Sequence, residues 1–327
     1  MPGKAVMRLG RRQTLTILAG CLATPALAQS YPSRPIRIVV GFAPGGAVDI
    51  LARLIARQMS ERLGHQALVE NRPGANANIG AENVARSAPD GYSLLMITSS
   101  HVITAATGAR VNFDPLNSFE PISAIAMVPN VVLVHPSLPA ETLQDFIRLL
   151  KGSPGKYNFA STGIGGATHL AGEAFRQAAE VDQTHIPYQG AGPALNALVA
   201  GEVDAYFGSV SGAKGLVAAG RLRALALPSA KRSTAMPDVP TTAEAGLPSY
   251  QFDTWYGLLV PARTPRPIID SLYNDVRAIM DMPEMKQRLE VEGAEAVMNT
   301  PDQFRTFMME ETERMRTLVR NAGLTVN

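Results

Sequence analysis

The sequence predicts an α/β protein of two domains, each a doubly wound, mostly parallel sheet with helices on both faces. Three observations predict it. From Ile36 onward short β-branched runs alternate with helical patterns, the order that builds parallel sheets covered by helices. Two strand-to-helix junctions are rich in glycine: 36–53 reads IRIVVGFAPGGAVDILAR and 157–170 reads YNFASTGIGGATHL. Two long extended stretches, 122–134 and 250–260, separate the alternating blocks. Two such crossings imply a first domain made from both chain ends and a second inserted between them.

The elements follow in order. A strand beginning at Ile36 feeds a helix that keeps Leu51, Leu54, Ile55, Met59 and Leu63 at three- and four-residue spacing until Gly64 stops it. Strands come next at 67–69 and 93–98, the second entered through a turn at Pro89, Asp90 and Gly91. The stretch 122–134, interrupted by Pro129, is longer than one strand needs. The inserted block reads as helix 143–151, strand 157–160, helix 168–179, strand 185–188, helix 193–200 and strands 204–207 and 222–227. The return stretch holds the only tryptophan, Trp255, and helices at 268–280, 284–290 and 301–319 complete the chain.

Composition narrows the function. The 327 residues suit one large or two ordinary domains. Residues 1–28 read as an export signal: Lys4, Arg8, Arg11 and Arg12 form the charged end, 15–23 the apolar stretch, and Ala26, Leu27 and Ala28 the cleavage site. The apolar run is too short to span a bilayer. These residues hold four of the 30 Lys and Arg and none of the 28 Asp and Glu, so a cleaved chain carries 26 against 28. No basic surplus remains for nucleic acid. The only cysteine, Cys21, lies inside the signal. Leu18 to Cys21 also matches a lipoprotein cleavage box, in which Cys21 would be lipidated, and Arg11 with Arg12 partly matches a twin-arginine signal. Each route leads out of the cytoplasm.

Catalytic patterns fall away in turn. The five histidines, His65, His101, His135, His169 and His185, have no helical zinc-pair spacing, so no metal is expected. A hydrolase elbow needs serine at its centre, but Gly208-Ser209-Val210-Ser211-Gly212 has valine there. Gly155-Lys156 is followed by Tyr157, so there is no phosphate-binding P-loop. Gly163, Gly165 and Thr168 stop one residue short of a dinucleotide fingerprint, and Asp182 precedes the next strand where an acid should end it. No cofactor is expected.

What remains is anion binding. The first N–H groups of a helix lack intrahelical partners, and the helix dipole adds positive character, so a carboxylate or phosphate is favoured there. Phe42, Pro44, Gly45 and Gly46 form one such loop and Ser161, Thr162, Gly163, Gly165 and Gly166 a second. Facing each other, the two make a pincer. Asp49 either caps its helix or accepts hydrogen bonds from a ligand, and His169 either caps and packs or joins the site. His101, just past a strand's carboxyl end with Ser99, is better placed for a ligand. Tyr188 and Trp255 are either core or cleft wall, and Gly208 and Ser209 complete the candidate set.

These residues carry a resemblance. From Tyr31 to the C-terminus the chain resembles the Bug/TctC family of periplasmic solute receptors for tripartite tricarboxylate transporters. The matching segments are Tyr31-Pro32-Ser33-Arg34-Pro35-Ile36, Gly45-Gly46 with Asp49, Glu70-Asn71-Arg72-Pro73-Gly74-Ala75, Pro89-Asp90-Gly91-Tyr92, Gly163 to Leu170, Tyr188 with Gly190, Leu222-Arg223-Ala224-Leu225-Ala226 and Pro237-Asp238-Val239-Pro240-Thr241. The resemblance implies a type II periplasmic binding protein fold, a Venus flytrap whose lobe 1 comprises 31–127 and 251–327 and whose lobe 2 comprises 128–250. It implies a small carboxylate, whether a di- or tricarboxylate, an acidic amino acid or an aromatic acid, gripped between the two glycine loops, a monomer, and delivery to a large and a small integral membrane subunit. An exported nucleotide- or cofactor-dependent enzyme and a ligand sensor with a signalling partner are the alternatives. Two positions depart from the family: Thr104-Ala105 where an Asn-Pro pair is common, and Gly208 where many members carry Asp.

Overall fold

Four residues of near-total burial mark the first strand of the described fold. Strand β1 (Ile36–Val40) keeps Ile36, Ile38, Val39 and Val40 at 1% exposure or less, as a strand covered on both faces must. It lies between β2 (Ala67–Asn71) and β3 (Ser93–Thr98) and runs parallel to both. Three further strands, β4 (Phe119–Val128), β10 (Thr254–Pro261) and β11 (Glu295–Ala296), complete a six-stranded sheet in the order β11-β4-β10-β3-β1-β2. A second sheet, in the order β7-β6-β8-β5-β9, is built from β5 (Asn130–Val134), β6 (Asn158–Ser161), β7 (Thr184–Pro187), β8 (Ala205–Ser209) and β9 (Arg223–Ala226). The computed structural model describes residue 3 and residues 31–291 and 293–321. Contacts divide the chain into units Met1–Ser33 and Arg34–Asn327, and both sheets belong to the second. The export-signal reading and Cys21 lie outside the described residues.

The two-lobed α/β architecture is as expected, but both sheets are mixed rather than mostly parallel. In the first sheet β10 runs antiparallel to β3 and β4; in the second β5 runs antiparallel to β8 and β9. The cause is the double crossing. A strand that carries the chain from one sheet into the other enters from the end where the parallel strands finish, so it runs against them.

Pro129 marks the first crossing. It has no N–H to give to a ladder, so the extended stretch breaks there into β4 of one sheet and β5 of the other. The second crossing is fixed by aromatic burial. Tyr250 packs into the second lobe against Phe175 and Phe207, its Oη donates to the Ala171 carbonyl at 3.0 Å, Phe252 is buried beside it in sequence, and Trp255 then enters the first lobe. Asn130 stitches the crossings together. Its amide donates to the Phe252 carbonyl at 3.0 Å and accepts from Thr254 Oγ1 at 3.1 Å, within a site 1% exposed.

Helices cover both sheets. The first lobe carries α1 (Ala47–Leu63), α2 (Asn78–Ala85), α3 (Ser100–Thr107), α8 (Arg266–Met280), α9 (Pro283–Val291) and α10 (Pro301–Asn321). The second carries α4 (Leu143–Lys151), α5 (Ala167–Ala179), α6 (Ala191–Ala200) and α7 (Val210–Ala218). Helix α4 starts on a capping box, in which Thr142 Oγ1 accepts from the Asp145 amide and Asp145 returns an acceptor to the Thr142 amide. The pattern reading does not identify α2, α3 or α7. Two glycines dilute α7, β-branched residues populate α3, and α2 is only eight residues long.

Gly172 shows how tightly α5 sits on its sheet. A Cβ there would lie 2.2 Å from the buried ring of Phe159. Gly172→Ala is therefore expected to lose about 1–2 kcal/mol, because overpacking a rigid ring outweighs alanine's better helix propensity. A urea midpoint equal to or above that of the parent chain would show that the ring yields.

Candidate functional site

The two glycine loops are built to one plan. Gly45 has φ +90° and Gly165 φ +72°, left-handed values that glycine takes without strain. The glycine after each is the N-cap of the next helix, with Gly46 opening α1 and Gly166 opening α5, and neither helix is capped by a side chain. In each loop the first glycine's N–H is taken by the side chain four residues on: Gly45 N–H donates to Asp49 Oδ2 at 2.9 Å, and Gly165 N–H donates to His169 Nδ1 at 3.0 Å. The sequences are GGAVD and GGATH. One amide pins the loop, and no N-cap side chain quenches the amides that follow.

Asp49 is occupied by that task. It is 2% exposed, its Oδ1 accepts from Asn71 Nδ2 at 2.8 Å, and its Oδ2 also takes Arg53 Nε at 3.0 Å. Burial pushes its carboxyl up, but the Arg53 guanidinium, the Gly45 amide and Asn71 outweigh it and hold the group below its ordinary value. Asn71 also donates to the Phe42 carbonyl at 3.0 Å, which fixes the other side of the loop. Phe42 is half-buried, while Pro44, Gly45 and Gly46 are exposed.

The second loop is held by neutral imidazoles. His169 and His185 stack at 3.8 Å between centroids, 16° from parallel, with the Phe159 ring against both. His185 Nε2 lies 2.6 Å from Ser161 Oγ, which in turn accepts from the Gly163 amide at 3.1 Å. Thr162 N–H donates to Thr168 Oγ1, and Tyr188 N–H to the Ser161 carbonyl. Burial, the neighbouring His185 and Arg176 push His169 down to about 4; burial and Arg176 do the same to His185. With its Nδ1 accepting, His169 carries its proton on Nε2, and its 3.8 Å approach to Glu173 is not an ion pair.

A third segment reaches across from the first lobe. Ala75, Asn76 and Ala77 are consecutive left-handed residues, at φ +48°, +54° and +74°. Asparagine tolerates this conformation, while each alanine costs about 1–2 kcal/mol there, so the surroundings must hold them. One support is Gly41: a Cβ on it would come within 2.3 Å of the Ala77 Cβ. The turn delivers the Asn76 amide to the second loop, where Nδ2 donates to the Ile164 carbonyl at 2.6 Å. Asn76 Oδ1 lies so close that a Cβ at Gly166 would come within 3.0 Å of it. Beside it, the Ala167 amide of α5 reaches Ser100 Oγ of α3 at 3.4 Å.

Other candidates are placed differently. Ser99 is 2% exposed with its Oγ unpaired, at the foot of α3. His101 is structural: its Nε2 donates to the Pro115 carbonyl at 2.6 Å between Phe113 and Phe119, and burial pushes it down to about 4. Thr104, one of the departures from the family, bonds Asn78 Oδ1 at 3.2 Å. At Gly208 a Cβ would lie 2.1 Å from the Tyr206 ring, so that ring fills the space a side chain at 208 would need. Ser209 is the N-cap of α7. Trp255 is corrected from cleft wall to core, because it is 1% exposed and packs edge-on against Phe304 and Phe307 of α10. Sequence reasoning missed Asn76, since Ala-Asn-Ala contains no glycine to announce a left-handed turn.

The family model described as tripartite tricarboxylate transporter family receptor matches residues 51–324. The chain belongs to this family. Protein BugT of Bordetella pertussis is 35% identical over 92% of this chain and 93% of its own. An R. palustris protein solved with adipate is 33% identical, with a TM-score of 0.85 over 90% of this chain and 98% of that one. MatC from Rhodopseudomonas palustris, solved with bound malate, is 31% identical, with a TM-score of 0.82 over 88% and 100%. The TctC/Bug receptor is accordingly a periplasmic solute-binding protein and not an enzyme.

Two measurements check the receptor's site. Unfolded imidazoles take up a proton near 6.5, whereas His101, His169 and His185 do so in the fold only at about 4. Stability is thus complete above 6.5 and is lost as the pH falls toward 4, by on the order of 1–2 kcal/mol per imidazole at about pH 5. The urea midpoint should drop between about pH 7 and pH 5, and a flat profile would contradict the buried neutral pair. Asn76→Gly keeps the left-handed turn and removes only the amide. It should weaken ligand affinity roughly five- to tenfold, the worth of one hydrogen bond, as read by calorimetry, with little change in the unfolding midpoint.

Proposed function

We propose that this receptor binds a small carboxylate between its lobes, 31–127 with 251–327 and 128–250, and hands it to the large and small membrane subunits of a tripartite tricarboxylate-type transporter. The observation that carries the reading is the matched pair of glycine-led helix starts, α1 at Gly46 and α5 at Gly166, each without a side-chain cap. Such starts hold an anion by backbone donors and dipole alone. Adipate and malate, in the two R. palustris relatives, are carboxylates. The unpaired Ser99 Oγ offers a further polar contact nearby, and Thr162, Gly163, Tyr188 and Ser209 form the second-lobe rim of the same site.

Closure follows from ligand contact with both lobes, since only differential affinity shifts an open-closed balance. The Asn76 and Ser100 bonds to the second loop are contacts that closure makes. Residues 1–28 are the export signal in this reading. The receptor works as a monomer without cofactor.

A thermal-shift screen over carboxylates tests the reading. A true ligand at a hundred times its dissociation constant should add about 2.7 kcal/mol of stability. Stabilisation by sugars or cations and by no carboxylate would refute it. Gly46→Val is the matching variant: φ is −76° and nothing lies within 4 Å of a Cβ there, so the fold accepts the side chain while the approach to the amides is filled. Affinity should fall by about two orders of magnitude, the loss of two charge-assisted hydrogen bonds.

A further inference from the structure

The two lobes meet a second time, away from the glycine loops. In the first sheet β11 is the edge opposite β1 and β2, and in the second sheet β9 is the edge opposite β6 and β7. The crossings, from β4 into β5 and into the start of β10, stand between. Asn76 follows β2 and Ile164 follows β6, so their bond lies on one side of the crossings. The segments beside β11 and after β9 meet on the other.

Three observations build this second seam. Val291 is the last residue of α9, and its carbonyl accepts from the Lys214 ammonium of α7 in the opposite lobe. A cation is favoured at that end of a helix, where carbonyls lack partners and the dipole is negative. Lys231, whose segment is packed into the second lobe through Met236, pairs with Glu295 of β11 at 2.9 Å. Between these contacts Gly293 is buried, and a Cβ there would lie 2.8 Å from Ser233 Oγ, 2.9 Å from the Ala235 Cβ and 3.2 Å from Val210 Cγ1. The seam has no slack.

Two motions would part the glycine loops. Rocking about the crossings, which draws Asn76 away from Ile164, presses the far side together, and Gly293 leaves no room for that. Lifting the lobes straight apart breaks the Lys214 and Lys231 contacts. We infer that this seam is a second latch, in which two lysines on the far side of the crossings hold the closed receptor shut with a strength set by salt. The inference goes beyond the carboxylate reading and rests only on its two-lobe closure. Exposed ion contacts are weak and are screened within about 10 Å at 0.1 M salt. The latch therefore tips a balance.

Small-angle scattering and hydrogen exchange on the ligand-free full chain test it. Lys214→Glu with Lys231→Glu sets one carboxylate against the end of α9 and another against Glu295. The radius of gyration should rise, and exchange over 161–167 should quicken by about fivefold, the scale of two exposed ion contacts. Sodium chloride at about 1 M should do the same to the parent chain and little to the variant, because screening has already removed what the variant lacks. Adding Glu295→Lys to Lys231→Glu should bring the radius back toward that of the parent. Both ammonium groups lie at the surface, so the unfolding midpoint should hold; should it fall, the salt titration of the parent chain decides. A radius that stays the same or shrinks overturns the latch. Neither readout needs a bound acid, so the carboxylate reading stands or falls on its own screen.

Discussion

Everything at the proposed site depends on how backbone amides at two helix starts are shared out. A helix presents its first N–H groups unpaired, and proteins commonly quench them with a serine, threonine or aspartate cap. Here the N-cap positions are glycines, and the first-turn side chains Asp49 and His169 reach back past them to the glycine before. Each loop is tied at one amide with no side-chain cap on its helix, although at α5 the Ala167 amide also meets Ser100 Oγ at 3.4 Å. The two acceptors differ in charge. Asp49 is an ionised carboxylate neutralised by Arg53 and two amide donors, whereas His169 is a neutral imidazole stacked on a second one.

That difference bears on what an anion meets. A bare carboxylate beside the first loop would repel a second, and the Arg53 and Asn71 bonds remove most of that penalty. The second loop needs no such compensation, since neither imidazole is charged near neutral pH and neither carries a negative charge at any pH. Both loops can therefore face the same anion. The geometry is bought with strain at Ala75 to Ala77, where three left-handed residues place one amide against the opposing loop. Strain of this kind persists only where the surrounding structure over-determines it, and Gly41 supplies the room that makes the turn possible.

The two sheets are joined sparingly. Only two chain crossings join the sheets, at Pro129 and at Phe252 to Thr254, and one asparagine, Asn130, ties them. Tyr250 anchors the return crossing in one lobe and Trp255 in the other. Close to these crossings lies Gly208, its space filled by Tyr206.

The sequence alone determined much of this protein. Hydrophobic period marked β1, α1, α5 and the long C-terminal helix, Pro129 marked a crossing, and the glycine pairs marked both loops, because each of these is a local property of the chain. The tertiary structure decided the rest. Whether Asp49 faces a ligand or its own loop depends on Arg53 and Asn71 arriving beside it, and whether Trp255 is wall or core depends on Phe304 and Phe307 of a helix some fifty residues later. Asn76 was invisible, because its left-handed turn is imposed by packing against Gly41 and by the opposing lobe, and no propensity of Ala-Asn-Ala encodes it. Local rules set where the loops are; only long-range packing sets which of their atoms remain free.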